Sequence, residues 1–103
     1  MDLALRNGEQ ARDDLAAEFD ARFERLRPRL TAVCTAVAGI DDAVDLVHEA
    51  YLRASERLHQ LRDPALFDAW VVRIALNEAK GVLRSRRGHA ERLAELTPAP
   101  VEG

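Results

Sequence analysis

The chain contains few of the residues on which disulfide-rich, metal-clustered and membrane proteins depend. Its 103 residues include one cysteine, Cys34, so an internal disulfide or a zinc site built on paired cysteines is excluded. No uninterrupted apolar run approaches the ~20 residues of a membrane span, and no signal segment opens the chain. Five residues are aromatic, although 48% of the chain is hydrophobic. These features predict a single soluble cytoplasmic domain that is long enough to bury a core without disulfides or metals.

Neither sign of charge dominates the chain. The formal net charge of −3 argues against a protein that binds nucleic acid over its whole surface. The charge nevertheless alternates along the sequence, because residues 1–20 and 41–70 are acidic whereas residues 21–40 and 71–90 are basic. This alternation predicts separate acidic and basic surfaces that meet different partners.

Apolar residues first recur at helical spacing between Asp14 and Gly39. Their steps of three or four predict a helix that begins near Asp14, and residues 1–13 are expected to be a flexible lead-in. Pro28 is expected to kink this helix or to start the next one. Gly39 is expected to end it, because glycine adopts the left-handed conformation that closes many helices.

Two further helices follow Gly39. Asp41 and Asp42 offer capping oxygens and favourable charge at the start of the first of them. Its predicted core seam repeats in steps of three and four through Val44, Val47, Tyr51, Ala54, Leu58 and Leu61. Asp63 and Pro64 have the pattern of an N-cap followed by a first-turn proline, and they open a last helix that should run to about Arg84.

These elements predict an all-α fold, a compact bundle of three to four helices, because no segment alternates as a strand does. The helical domain is expected to cover residues 14–88 and to end near Gly88. Residues 89–103, which contain two prolines, are expected to be a linker or tail.

The helix after Gly39 has an unusual outward face, in which one leucine lies among charged residues. Two interpretations fit this pattern: a solvated surface with a single exposed leucine, or a docking face whose apolar anchor is ringed by charges that set orientation. The face consists of Asp45, His48, Glu49, Leu52, Arg53 and Glu56.

The last helix is apolar on two sides and is therefore expected to be wedged between its neighbours. Its polar residues form one stripe, which consists of Arg73, Asn77, Lys80 and Arg84, with Arg86 and Arg87 just beyond. Cations in this arrangement can neutralise phosphates, and an asparagine can donate to and accept from a base edge. A solvated cationic surface near a helix C-terminus fits the same residues.

No constellation of catalytic or metal-binding residues is present in the sequence. A zinc-protease helix that began at His48 would need its second histidine at position 52, which is Leu52. Cys34 lies on an apolar helix face, as a small buried thiol does. The sequence therefore predicts a protein that is not an enzyme and holds no metal or cofactor.

Two sequence blocks resemble region 2 of the ECF-type bacterial sigma factors. Residues 42–54, DAVDLVHEAYLRA, are similar to the family pattern D-A-x-D-L-V-Q-E-A-F-L-R-A. Residues 63–77, DPALFDAWVVRIALN, are similar to D-P-x-x-F-x-x-W-L-x-R-I-A-x-N, and Phe23 with residues 27–30 matches the preceding helix pair. The resemblance covers about residues 15–87 and implies the helical fold of sigma-factor region 2.

The resemblance also implies partners and contacts. It implies docking on the clamp helices of the RNA polymerase core β′ subunit, recognition and melting of the promoter −10 element on the non-template strand, and an anti-sigma factor as a further partner. The residues that would bind polymerase are Asp45, His48, Glu49, Leu52, Arg53 and Glu56. Those that would contact DNA are Arg62, Asp63, Trp70, Arg73, Asn77, Lys80, Arg84, Arg86 and Arg87. The alternative is a protein-interaction bundle, binding polymerase or an anti-sigma factor, that has lost DNA recognition.

Overall fold

A computed structural model of the chain describes residues 3–96, with side chains from residue 9 onward. In these residues the chain forms three α-helices, α1 (Leu3–Ala38), α2 (Ile40–Arg57) and α3 (Phe67–Leu96), and two 3₁₀ turns, Leu58–Gln60 and Pro64–Leu66. Each helix packs against the other two, which confirms the predicted all-α bundle. Across this part of the chain, no helix has both the length and the apolar character of a membrane span.

The first helix is longer than the sequence predicted. It begins at Leu3 rather than near Asp14, so most of the predicted lead-in is helical, and residues 1–2 lie outside the described residues. The helix also continues through Pro28, so of the two predicted effects of this proline, a kink or a new helix, the second is wrong. Phe23 and Leu30, on either side of the proline, are fully buried on the same face. Their burial, at about 1.5–3 kcal/mol each, offsets the roughly 3 kcal/mol that an interior proline costs.

A single glycine connects α1 to α2. Gly39 has a φ of 92°, and its N–H donates to the carbonyl of Thr35 at 2.9 Å, which confirms the predicted helix end. Asp41 and Asp42 do not cap α2, because the N-cap residue is Gly39 and no side chain of residues 9–96 forms a capping hydrogen bond at the helix start. Both carboxylates lie instead in the first turn, where the helix dipole stabilises negative charge.

The buried face of α2 is rotated from the predicted seam. Val44 is 74% exposed, so its placement in the core is wrong. Tyr51 and Leu58 are half-buried, whereas Val47, Ala54 and Leu61 are buried as predicted. Both α1 and α3 cover α2, and the arc that they share centres on the residues Ala43, Leu46, Val47, Ala50 and Ala54. Because successive helix residues lie about 100° apart, Val44 falls outside that arc.

All five aromatic residues of the chain form one cluster that joins the three helices. The ring of Phe19 lies 6.1 Å from that of Phe23, 5.5 Å from that of Tyr51 and 5.8 Å from that of Phe67. Phe67 in turn contacts Trp70 at 6.3 Å. The cluster fixes the start of α3 against the middle of α1 and the second half of α2.

The start of α3 follows the predicted pattern, but its end does not. The carboxylate of Asp63 accepts a hydrogen bond from the N–H of Ala65 at 3.0 Å, and the 3₁₀ turn that starts at Pro64 leads into the helix. The helix then continues through Gly88 to Leu96, so the predicted end near Arg84 is wrong and part of the predicted tail is helical. One interior glycine costs only about 1 kcal/mol and does not by itself end a helix. The two tail prolines, in residues 97–103, lie outside the described residues.

The thiol of Cys34 is fully buried, as predicted, and this burial raises its pKa. We expect iodoacetamide to alkylate native Cys34 at least about a hundredfold more slowly than the urea-unfolded chain, because reaction requires the core to open. Mass spectrometry of quenched samples measures both rates. Equal rates in the two states would contradict the burial of this side chain.

Candidate functional site

The outward face of α3 carries the polar stripe that the sequence predicted. The side chains of Arg73, Asn77, Lys80 and Arg84 are all exposed. They lie on the side of the helix opposite its buried residues, which are Phe67, Val71, Ile74, Ala75 and Ala79. The helix is not enclosed on two sides, however, because Val72, Leu76 and Leu83 are only half-buried. The stripe is therefore a broad outer face rather than a narrow edge.

The cations of this face are available to a ligand. Within residues 9–96, no carboxylate forms an ion pair with Arg73, Lys80, Arg84 or Arg87. At 1.5 Å per residue, the line from Arg73 to Arg87 is about 21 Å long. A row of unpaired cations of this length, with the amide of Asn77 among them, can follow several phosphates of one nucleic-acid strand.

An open pocket lies beside the start of α3. Its volume is about 300 Å³, and Leu61, Leu66, Ala69, Trp70 and Arg73 line it. The Trp70 ring is half-buried, so one part of it packs against Phe67 while another part faces the pocket. An aromatic surface beside a guanidinium group suits a planar, partly charged ligand such as a nucleotide base with its phosphate.

The loop that leads into α3 carries two more of the residues that were predicted to contact DNA. Arg62 is exposed. Asp63 is exposed as well, but its carboxylate already accepts the N–H of Ala65 as a cap. Asp63 therefore has a structural role that accounts for an acidic residue at this position.

The outward face of α2 also has the predicted character. Leu52 is 40% exposed, among acidic side chains. Asp45, Glu49 and Glu56 are exposed around it, and so is His48. This surface lies opposite the buried residues of α2 and offers one apolar anchor with mainly negative charge at its rim.

Comparison with known protein families identifies the family of this chain. The family model described as Sigma-70 region 2 matches residues 22–89, which include all of α2 and most of α3. The chain belongs to the Sigma-70 region 2 family.

This region 2 domain is similar to proteins that carry sigma-factor names. It is 34% identical to "ECF RNA polymerase sigma factor SigG" of Mycobacterium tuberculosis (strain H37Rv), over 82% of the chain and 23% of that protein. It is 37% identical to "Probable RNA polymerase sigma factor RfaY" of Xanthomonas campestris pv. campestris, over 71% of the chain and 21% of that protein. The chain thus spans less than a quarter of the length of these relatives. No solved structure matches it.

Two arginines that the resemblance assigned to partners are engaged within the region 2 fold. Arg86, predicted to contact DNA, donates to the carbonyl of Ala38 at 3.0 Å and forms an ion pair with Asp42. Arg53, predicted to bind polymerase, donates from Nε to Oε1 of Glu78 on α3 at 3.1 Å. This hydrogen bond and the charge of Glu78 raise the pKa of Arg53. Each arginine therefore ties helices together.

The structure also contains a pocket lined by two arginines that the sequence did not predict. An open pocket of about 360 Å³ lies between α1 and α3, lined by Arg22, Arg25, Leu26 and Asp68. Arg22 is paired with Glu18 at 3.2 Å. The basic charge of residues 21–40 was the available signal, but spacing along α1 alone does not show which residues of α3 lie opposite.

Proposed function

We propose that this region 2 domain acts in transcription initiation, docking on the RNA polymerase core through α2 and holding the promoter −10 element through α3. The observation that carries the proposal is the pair of outward faces on neighbouring helices. One face is acidic with a single leucine, and the other is cationic with a single amide. A bundle with this division of charge can bridge a protein and a nucleic acid.

The docking step uses the face of α2 around Leu52. An exposed apolar side chain at the centre of a charged ring has the arrangement of an interface anchor, because the surrounding polar residues exclude water and set orientation. Negative charge at Asp45, Glu49 and Glu56 calls for a basic partner surface. The family resemblance points to the clamp helices of the β′ subunit as that surface.

The nucleic-acid step uses the face of α3 and the pocket beside it. Cations along α3 would neutralise phosphates without reading sequence, and Asn77 would read a base edge. Taking a base out of the stack costs a few kcal/mol. Stacking of that base against Trp70 in the pocket would offset this cost with about 1–3 kcal/mol of binding free energy. With a net charge of −3, the free domain should bind DNA weakly, so the polymerase has to present it.

A single substitution tests whether Asn77 recognises the −10 sequence. We expect Asn77→Ala to reduce the preference of the domain–core complex for its −10 sequence about tenfold, because one amide–base contact supplies roughly 1–3 kcal/mol of discrimination. Core affinity should stay unchanged. The wild-type complex first enriches a sequence from a randomised pool of single-stranded DNA 12-mers. Fluorescence anisotropy then measures the affinity of each complex for this 12-mer and for unselected 12-mers.

Ser85→Ala is the matched control, since Ser85 is an exposed α3 residue outside the stripe. It should leave both affinities at the wild-type value. If the preference for the −10 sequence is unchanged in Asn77→Ala, Asn77 does not recognise a base of that sequence.

A protein-interaction bundle without DNA recognition is the second candidate. It is favoured by the hydrogen bonds of Asp63 and Arg86 within the fold, because side chains that are engaged in this way are less free to contact DNA. Under this alternative the partner is the polymerase or an anti-sigma factor. The wild-type complex would then bind core and enrich no sequence from the randomised pool.

A further inference from the structure

The geometry points to Arg53 as a positioning residue, which acts through Glu78 to set the direction in which α3 presents Asn77. This inference rests on the proposed function, since it concerns how the docking helix and the DNA-facing helix are held together. It departs from the family resemblance, which placed Arg53 among the polymerase contacts.

The Arg53–Glu78 contact is the first support. Nε of Arg53 lies 3.1 Å from Oε1 of Glu78, and the Glu78 side chain is only 26% exposed. A weaker contact of 3.9 Å joins Arg53 to Glu56 on its own helix. Arg53 thus makes its shorter contact across the helix interface and not along the docking face.

The packing between α2 and α3 explains why such a contact matters. Five of the ten buried residues that these helices contribute are alanines: Ala43, Ala50 and Ala54 on α2, and Ala75 and Ala79 on α3. Methyl groups form shallow ridges and resist rotation of one helix against another less than large side chains do. Beyond the aromatic cluster at the start of α3, polar contacts at the edge of the interface can therefore help to fix the rotation of this helix.

The position of Glu78 links this rotation to the site. Glu78 follows Asn77 directly in α3, and successive side chains of a helix point about 100° apart. When Arg53 holds Glu78 toward α2, Asn77 has to face outward. Farther along α3, Arg86 makes a second such link through Asp42 and the Ala38 carbonyl. The two links hold α3 at two points along its length.

A double-mutant cycle tests the inference. We expect Glu78→Ala to lower affinity for the enriched 12-mer about fivefold when core occupancy is equal. An effect of this size is typical of residues in contact. The substitution changes no residue of the docking face. Arg53→Ala should have the same effect, and the double variant should lose no more than either single variant. Glu78→Gln should recover most of the affinity, because its amide oxygen can still accept from Arg53 Nε.

Arg57→Ala is the control, since Arg57 is exposed on the same helix and pairs with no carboxylate within residues 9–96. It should leave core and 12-mer affinities unchanged, and thermal unfolding verifies that every variant is folded. A loss of core affinity in Arg53→Ala but not in Glu78→Ala would overturn the inference and return Arg53 to the polymerase interface. Wild-type 12-mer affinity in both single variants would overturn it too. If the unaltered chain does not bind core or does not enrich a sequence, the proposed function itself is wrong. The inference then fails with it, before any variant is made.

Discussion

Leu52→Asp is expected to abolish binding of the domain to RNA polymerase core, with affinity lowered by about a hundredfold or more. A central apolar anchor can carry over 2 kcal/mol of binding energy, and an aspartate in its place would also add a charge that must be desolvated. The new carboxylate would face Asp45, Glu49 and Glu56, so the docking face would have no apolar centre. Titration of the fluorescently labelled chain with core polymerase measures the affinity directly.

Leu93→Asp is the matched control for this experiment. Leu93 is 49% exposed, close to the 40% of Leu52, but it lies near the end of α3 and away from the docking face. It should bind core as the wild type does, and both variants should unfold at the wild-type temperature. An equal loss in the two variants would mean that added negative charge, and not the anchor, accounts for the effect.

Phe23→Ala is expected to destabilise the fold by about 3–5 kcal/mol, the range for truncating a buried aromatic residue. Phe23 is fully buried, and its ring lies edge-on to that of Tyr51 with 5.2 Å between centroids. The guanidinium of Arg27 lies 5.6 Å from the centre of the same ring. The substitution would leave a cavity where α1 and α2 meet. The total free energy of unfolding of a domain of this size is about 5–15 kcal/mol, so the loss is a large fraction of its stability.

Urea unfolding followed by circular dichroism measures this change, and Val44→Ala serves as its control. Val44 is 74% exposed, so its truncation should change the free energy of unfolding by less than about 0.5 kcal/mol. A cost for Val44→Ala close to that of Phe23→Ala would mean that the predicted seam through Val44 was right after all.

Features encoded within a few neighbouring residues could be read from the chain directly. The left-handed turn at Gly39, the Asp63 cap before Pro64 and the exposed stripe around Asn77 all depend on local backbone preference or on helical spacing. Each of them is present in the folded chain. Their physical basis is short-range, so a single sequence was sufficient to predict them.

Features that depend on which helices lie side by side could not be read in this way. Val44 is exposed because the arc that α1 and α3 share on α2 excludes it. Arg53 bonds to a residue 25 positions away, and Arg86 to a carbonyl 48 positions away. Helical spacing assigns a side chain to a face of its own helix, but only the packing of distant segments decides whether that side chain meets a partner protein, a nucleic acid or another part of the same molecule.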